Sequence, residues 1–477
     1  MLELALDPGA IPRLVAVPGL RRSGRAQPLL IEWFDTADGS LLRDGWVVRR
    51  VGASWQVVRD GDPWATPPLF AESRDRSGIG SLAEGAEVRE SWTGTRHVFR
   101  FSGAQGVVRL VVLDGRFKRR TGRRAGRLPP CRLCLDGPGP AVGALAAQLA
   151  RAGAFVPTTT LARQALMAPD PAPRPLPPPD PEGAAGPAAA GLLAGQLRLM
   201  QDWAARVPGA TTPEPVHQMR VATRRLRALL STFRKALPSP ELALLGPAVK
   251  DCAARLGAAR DWDVFLQGAG TRLAAAFPED ARCAAMLRSA ERRRKTVHRA
   301  LRAYLAGADF RVLMAGLAHA AAERPWVEEP GTVLRAVAEE RLRGRWKRVR
   351  RRAKGLDTLP VEALHELRKD CKRLRYTAEF FAFLFPHKAT KRFLRPLAAL
   401  QEELGLLNDG AAIGGLMAQL GRADRGYAAG LAEGYTAAGA GPARGRIGKA
   451  WKRLHKAGPF WPPSSKGGKA LDSRDAD

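Results

Sequence analysis

Residues 216–234 read VHQMRVATRRLRALLSTFR, and the interpretation of the rest of the chain starts from this stretch. At about 100° per residue, His217, Arg220, Arg224 and Arg227 fall within one narrow sector of a helix. The apolar residues of the stretch fall on the opposite side, so the pattern predicts an amphipathic helix. Its polar sector contains no carboxylate. Because a face of one sign repels itself, we expect an anionic partner.

The stretch occurs a second time at residues 364–382, which read LHELRKDCKRLRYTAEFFA. Equivalent residues are separated by a constant 148 positions (365 − 217 = 148). This offset relates His217 to His365, Arg220 to Arg368, Arg224 to Lys372, Arg225 to Arg373, Arg227 to Arg375 and Phe233 to Phe381. The sequences LGAARD at 256–261 and LGLLND at 404–409 keep the same offset. A register shared over about fifty residues favours an internal duplication over two unrelated basic helices.

Composition restricts the class of partner. The 477 residues carry a formal net charge of +31, which indicates nucleic acid, polyphosphate or an anionic membrane surface as partner. Aromatic residues make up only 6% of the chain, and this disfavours single-strand nucleic-acid binding, which uses exposed aromatic side chains. The odd number of cysteines, five, predicts no disulfide framework and fits a reducing cytoplasm. The G-x-x-x-x-G-K-[ST] motif of ATP-dependent enzymes is absent.

Three segments follow from local patterns, and the length of the chain agrees with two or three domains. Residues 1–165 alternate short β-prone segments with Gly, Asp and Ser turns, which predicts an α+β domain with an antiparallel barrel or strongly bent sheet. Residues 166–191 include PDPAPRPLPPPDPEGAAGPAAAG, which predicts a Pro-rich linker passing into a flexible Ala/Gly segment. Residues 192–460 have helical periodicity, with repeats at about 192–335 and 336–455, and 461–477 are predicted to be a disordered tail.

Targeting signals are not evident in the sequence. The first residues, MLELALDPGA, show neither the basic region nor the apolar region of a signal peptide. No run of about 18 apolar residues predicts a membrane-spanning helix. We therefore expect a cytoplasmic protein.

The first domain resembles a known enzyme family. Residues 32–36, EWFDT, followed by Leu42, Arg49 and Trp55, are similar to strands of the CYTH family, the triphosphate tunnel metalloenzymes. The resemblance implies an eight-stranded antiparallel tunnel. In active members, inward carboxylates hold Mg²⁺ or Mn²⁺, and inward Lys and Arg side chains hold a triphosphate.

The metal-binding part of that pattern is degenerate here. In the register of the family's ExExK strand stand Glu3, Ala5 and Asp7, so the second glutamate and the lysine are missing. Candidates for cations inside the tunnel are Arg49, Arg59, Arg100 and Arg109. We expect this domain to bind phosphate without hydrolysing it, and a metal-dependent triphosphatase or polyphosphatase stays open as the alternative.

The helical region resembles a second family. Two copies of H-x-x-R-x-x-x-[RK]-[RK]-x-R, each followed by LG-x-x-[RN]-D, are similar to the CHAD family, the conserved histidine α-helical domain. The resemblance implies an all-α pair of pseudo-symmetric four-helix bundles around a basic groove. It also implies binding of inorganic polyphosphate and a location at polyphosphate granules. The implied ligands are His217, Arg220, Arg224, Arg227, His365, Arg368, Lys372 and Arg375, with Arg225, Lys369 and Arg373 flanking them.

The two resemblances together predict a binding protein with inorganic polyphosphate as partner. We expect no catalytic residue, no metal ligand and no resident cofactor, and Mg²⁺ or Mn²⁺ only if the first domain is active. Nucleic acid is the less favoured partner, and the oligomeric state stays open. His217 and His365 have the alternative role of structural hydrogen-bonding residues. The LG-x-x-[RN]-D motifs are expected to end one helix and open the next, with Asp261 and Asp409 as caps or as partners of a basic residue.

Overall fold

A computed structural model of the chain describes residues 1–65, 69–80, 84–118, 130–166, 180–324, 326, 331–421, 426, 430–434 and 443–463. It describes no side chain at 406–412 or 443–444. Asp409, residues 167–179 of the predicted linker and residues 464–477 of the predicted tail therefore lie outside what is described.

The N-terminal region is an antiparallel half-barrel, as the sequence predicted. Its strands are β1 (Leu2–Leu6), β2 (Leu20–Arg22), β3 (Gln27–Asp35), β4 (Trp46–Val51), β5 (Ser54–Arg59), β6 (Leu69–Ser73), β7 (Glu87–Gly103), β8 (Gly106–Lys118) and β9 (Cys131–Asp136). Their order in the sheet is β1-β9-β8-β7-β3-β4-β5-β6, and β2 pairs with β7. Three helices accompany the sheet: α1 (Ser40–Arg43), α2 (Gly139–Arg151) and α3 (Leu161–Ala165).

One face of the sheet is closed by aromatic side chains and α3. Trp33 and Trp92 are buried there together with Ala162 of α3. Gly94 and Gly115 pair across β7 and β8, and a Cβ atom at Gly115 would lie 2.5 Å from a ring carbon of Trp92. The two glycines therefore give the indole ring the room to fill this side of the sheet.

The helical region follows at residue 185. Its helices are α4 (Ala185–Arg206), α5 (Glu214–Phe233), α6 (Pro240–Phe265), α7 (Thr271–Ala276), α8 (Ala281–Ala306), α9 (Ala308–Glu323), α10 (Leu334–Arg352), α11 (Val361–Phe380), α12 (His387–Met417) and α13 (Ala443–Ala457). A π-helical turn, Leu266–Gly270, joins α6 to α7. None of the helices in the described ranges combines the length and hydrophobicity that crossing a bilayer requires.

The prediction for the last part of the linker, up to residue 191, is wrong. We expected a flexible Ala/Gly segment up to residue 191, but α4 begins at Ala185. Ala185, Ala188 and Ala189 are buried in the core that α10 and α11 share, and alanine is the best helix former. The Ala/Gly composition suggested a flexible segment. Alanine side chains are too small to form a recognisable apolar stripe in the sequence, so their burial against other helices could not be predicted from it.

The half-barrel and the helices share one continuous core. Leu2 of β1, Leu145 of α2 and Leu317 of α9 belong to the same buried cluster. At the edge of this contact, the Met1 amine lies 2.8 Å from a carboxylate oxygen of Glu323. The prediction was a Pro-rich linker at a domain boundary, and an apolar contact across α2 and α9 joins the regions on its two sides.

Three buried clusters lie in the described part of the helical region. The first includes α5, α6 and α9 together with the half-barrel, and the second includes α10, α11, α12 and α13. The third joins the C-terminal end of α6 and α7 to α8 and the C-terminal end of α12. α4 and α5 contribute to the first two clusters. The internal duplication remains a prediction from the sequence.

Candidate functional site

α5 and α11 carry the two basic stretches and pack against each other. At the C-terminal ends of these helices, the rings of Phe233 and Phe381 lie with their centroids 6.1 Å apart at 66°. One or two turns earlier, the Arg224 guanidinium lies over the Tyr376 ring, 4.3 Å from its centroid. Phe233 and Phe381, which are related by the 148-residue offset, are therefore in direct contact. The contact between Arg224 and Tyr376 shows that the polar faces of α5 and α11 meet on the same side.

Four cations meet where these faces converge. We call Arg220 and Arg224 of α5 with Arg368 and Lys372 of α11 the central cationic cluster. Partial burial, and then the charges of Arg224, Arg220 and Arg368, lower the pKa of Lys372 to about 8. Lys372 as a whole residue is nevertheless exposed, so the lowered pKa reflects a crowded positive environment at the protein surface.

Arg224 has unused hydrogen-bonding capacity. Its Nε atom is buried without a hydrogen-bond partner, and burial lowers the pKa of its guanidinium. Among the described residues, no carboxylate lies within 4 Å of Arg224, Arg368 or Lys372. A buried donor without a partner is costly, so an anion that supplies oxygen atoms would be stabilised here.

α6 and α12 flank the central cationic cluster. Arg220 forms a loose ion pair with Asp261 of α6, at 3.7 Å between nitrogen and oxygen. On the other side, a Cβ atom at Gly405 of α12 would lie 3.4 Å from a guanidinium nitrogen of Arg368. Gly405 thus lets the arginine lie close to the backbone of the neighbouring helix.

The LG-x-x-[RN]-D motifs do not end helices, contrary to the prediction. LGAARD lies inside α6 and LGLLND lies inside α12. Glycine in the middle of a helix costs about 1 kcal/mol relative to alanine, which made a helix end the natural interpretation. The predicted role of Asp261 as partner of a basic residue is confirmed by its ion pair with Arg220.

The two predicted histidines are half-buried near the N-terminal ends of their helices. Burial, and then the charge of Arg260 on α6, lower the pKa of His217. His365 lies within electrostatic range of Glu366 on its own helix. Arg260 was missed as a site residue, although its place beside Asp261 in the LG-x-x-[RN]-D motif was a usable signal.

The other predicted site residues are not part of the central cationic cluster. Arg225 and Arg227 are exposed on α5. Three cations of α11 have carboxylate partners on the same helix: Lys369 with Glu366 at 2.7 Å, Arg373 with Asp370 at 3.0 Å, and Arg375 with Glu379 at 2.6 Å. These partners lie three or four positions away, so helical spacing alone could have revealed them.

A second group of arginines extends from α11 to α10. Arg345 of α10 donates a hydrogen bond to Ser231 Oγ of α5 at 3.0 Å. Burial, and then the charges of Arg373, Arg341 and Arg348, lower the pKa of Arg345 to about 10. Positive charge therefore continues from α11 onto α10.

In the half-barrel, the glutamate that stands in the register of the family's ExExK strand is held in an ion pair. Glu3 lies 3.3 Å from Arg132, and burial raises the pKa of Glu3 while Arg132 and Arg49 oppose the shift. Asp7 lies beyond the end of β1. Within the described ranges, no three His, Cys, Asp or Glu side chains are grouped as a metal site would require.

Of the four arginines proposed as tunnel cations, Arg49 lies within electrostatic range of Glu3 and donates a hydrogen bond to Gln56 at 3.0 Å. Arg100 and Arg109 are exposed and stand opposite each other on β7 and β8. The Arg59 guanidinium lies 3.5 Å from the centroid of the Trp46 ring and packs against this indole. Paired residues share a face of the sheet, so Arg100 and Arg109 lie on the same face as Glu3, two residues along from the positions aligned with it, whereas Arg59 lies on the opposite face from Arg49.

Comparison with known proteins agrees with this arrangement. Residues 191–418 match the family model of the CHAD domain. This region is a CHAD domain. The match covers the central cationic cluster and all eleven predicted ligands, and it ends before the predicted boundary at 460.

Solved structures and curated relatives cover parts of the chain. The crystal structure of the CHAD domain from the plant Ricinus communis superposes with a TM-score of 0.51 and 28% identity, over 58% of this chain and 93% of that chain. PptA from Streptomyces chartreusis gives a TM-score of 0.45 at 17% identity, over 57% of this chain and 100% of that chain. Two uncharacterised Mycobacterium tuberculosis proteins, MT2285 and Rv2226, are 34% identical over 187 residues, which is 36% of this chain and 35% of theirs. The chain thus spans about a third of the length of these curated relatives.

Proposed function

We propose that the CHAD domain of this chain binds inorganic polyphosphate at the central cationic cluster, and that it does so without catalysis. One observation carries the proposal: cations of two separate helices meet at Lys372, and three of them have no carboxylate within 4 Å among the side chains that the structure describes. A binding role at polyphosphate granules would follow. The family background agrees, because CHAD domains are known for polyphosphate-related roles.

The chemistry of the cluster suits a phosphate chain. Three of its four members are arginines, whose planar guanidinium groups can pair with two phosphate oxygens at once. The amine of Lys372, an exposed residue, adds a point charge between the helices. A polyanion entering here would neutralise charges that now repel one another, and it would supply acceptors to the Arg224 Nε atom.

A titration with long-chain polyphosphate over a series of salt concentrations tests the proposal. We expect the logarithm of the association constant to fall linearly with the logarithm of salt concentration. Four neutralised cations predict a slope of about −3, from roughly 0.7 released counterions per contact with a single-stranded polyanion. RNA at matched phosphate concentration should compete weakly, because no aromatic platform for bases accompanies the cluster apart from Tyr376, which Arg224 covers. Preferential binding of RNA would contradict the proposal.

The low pKa of Lys372 predicts a specific pH dependence. Lys372 is protonated below a pH of about 8 and loses its charge above it, whereas a bound polyanion would raise its pKa. Polyphosphate affinity should therefore fall on the order of tenfold between about pH 7 and pH 10, since one pKa unit corresponds to a factor of ten. Lys372→Arg should flatten this part of the profile, because arginine remains charged throughout.

Lys369→Arg is the matched control for this measurement. Lys369 lies on the same helix but forms an ion pair with Glu366. Its replacement should leave the fall in affinity between pH 7 and pH 10 unchanged. A profile that stays steep in the Lys372→Arg variant would show that another group titrates.

A further inference from the structure

The longest exposed row of cations in the described helices lies on α8, away from α5 and α11. Its members recur at intervals of four and three residues and are exposed: Arg288, Arg292, Lys295, Arg299 and Arg302. We call this row the α8 stripe. At about 1.5 Å per residue, its 14-residue span measures roughly 21 Å along the helix.

The fold does not require the α8 stripe. The opposite side of α8 supplies the core, with Met286, Ala290 and Leu301 buried. Arg288, Arg299 and Arg302 form no ion pair with a described carboxylate, and the single acidic residue of α8, Glu291, is held at 2.8 Å by Arg294. Like charges at helical spacing of four destabilise a helix. Within the stripe, only Lys295, 3.9 Å from Glu291, and Arg292, which donates to Ser289 Oγ at 2.9 Å, have an ion-pair or hydrogen-bond partner among the described residues.

α6 connects the α8 stripe to the central cationic cluster. Arg260 of α6 is close enough to His217 to lower the pKa of that histidine. One turn further along, Asp263 is fully buried and contacts two α8 side chains, Arg294 at 3.3 Å and His298 at 3.0 Å. α6 therefore packs against both α5 and α8, and Asp263 holds two α8 side chains that lie beside the stripe and are not members of it.

We propose that the α8 stripe is a second contact for a polyphosphate chain whose first contact is the central cationic cluster. The inference rests on the proposed function and adds to it a preference for long chains. A ligand that reaches both contacts gains affinity because the second contact forms within an existing complex. A short polyphosphate, such as tripolyphosphate, has too few phosphates to follow even the stripe from end to end. The absence of exposed aromatic residues among the described α8 side chains favours this ligand over single-stranded nucleic acid.

The test uses the full chain with three stripe arginines neutralised, Arg288→Gln/Arg299→Gln/Arg302→Gln. Glutamine preserves helix propensity, and these three side chains face solvent, so the fold should survive. We expect long-chain polyphosphate to bind roughly tenfold more weakly or worse at low salt, with the salt slope smaller by about 2. Affinity for tripolyphosphate should not change.

The matched control removes three charges from the N-terminal region, Arg25→Gln/Arg74→Gln/Arg151→Gln, all of which are exposed. This control should bind long chains as the parent protein does. The inference would be overturned if both triple variants lost the same amount of affinity for long-chain polyphosphate, or if the stripe variant kept the affinity of the parent protein. The inference would also be overturned if the stripe variant lost its affinity for double-stranded DNA or anionic vesicles but bound long-chain polyphosphate as tightly as the parent protein.

Failure of the inference and failure of the proposed function give different results. If the stripe is irrelevant, long-chain affinity still depends on Arg220 and Arg368. If the central cationic cluster is not the binding site, substitution of those two arginines leaves both tripolyphosphate and long-chain binding unchanged.

Discussion

The double charge reversal Arg220→Glu/Arg368→Glu is expected to weaken polyphosphate binding by roughly 100-fold or more. Charge-assisted hydrogen bonds contribute about 1.5–3 kcal/mol each, so two lost contacts remove about 3–6 kcal/mol, and each 1.4 kcal/mol is a factor of ten. The new carboxylates would in addition stand beside Lys372 and neutralise it. Isothermal titration or fluorescence polarisation with labelled polyphosphate measures the change.

The fold should tolerate this substitution. Both arginines are half-buried, and removing like charges from around Lys372 relieves repulsion. The loose, partly exposed ion pair of Arg220 with Asp261 that is lost contributes only about 1 kcal/mol or less. The circular dichroism spectrum and melting temperature should therefore stay close to those of the parent protein. Retained binding in a folded double variant would refute the site.

A control with the same change in net charge separates local contacts from overall electrostatics. Lys235→Glu/Arg392→Glu also lowers the formal net charge by four, but both residues are exposed and outside the central cationic cluster. We expect a loss of only a few-fold, because exposed charges beyond about 10 Å are screened at 0.1 M salt. A loss as large as that of the site variant would mean that the general positive field, and not the cluster, binds the polyanion.

Phe381→Ala is expected to cause the largest loss of stability. Phe381 is fully buried and packs against Phe233 at 6.1 Å, and truncating a buried phenylalanine typically costs about 3–5 kcal/mol. The cavity would lie where α5 meets α11. Thermal unfolding followed by helical circular dichroism should therefore show a clearly lower melting temperature. Val361→Ala, at a half-exposed position of the same helix, should have little effect.

A double-mutant cycle with Phe233→Ala tests whether the two halves are coupled through this pair. Contacting aromatic rings have a coupling of about 0.5–1.5 kcal/mol beyond their burial. We therefore expect the two substitutions together to destabilise the protein by less than the sum of the single effects. Strict additivity would mean that the rings do not interact.

Short-range pattern predicted much of this protein correctly. The helical period and the constant offset of 148 residues identified α5 and α11 and their polar faces, because side-chain direction in a helix depends only on spacing. Alternation with turn residues likewise predicted the half-barrel. The same spacing would have shown that Asp370 and Glu379 neutralise Arg373 and Arg375, had it been applied to acidic residues as well.

Contacts between distant segments were beyond the reach of these patterns. The burial of Ala185 at the start of α4, the partnership of Glu3 with Arg132 and the apolar contact of β1 with α9 all join residues far apart in sequence. The spacing of residue types along the chain contains no information on contacts between residues that are distant in sequence. These contacts depend on how the chain closes its loops and packs its helices and strands together.

By itself, the amino-acid sequence determined which helices form, which of their faces are cationic and that the chain has a large excess of positive charge. Only the tertiary structure decided which cations share one environment. Lys372 becomes unusual because Arg220 and Arg224 arrive from a helix about 150 residues earlier, and Arg224 forms no ion pair with a carboxylate of the described residues. Electrostatic energy depends on distance in space, and the packing of α5 on α11 sets that distance.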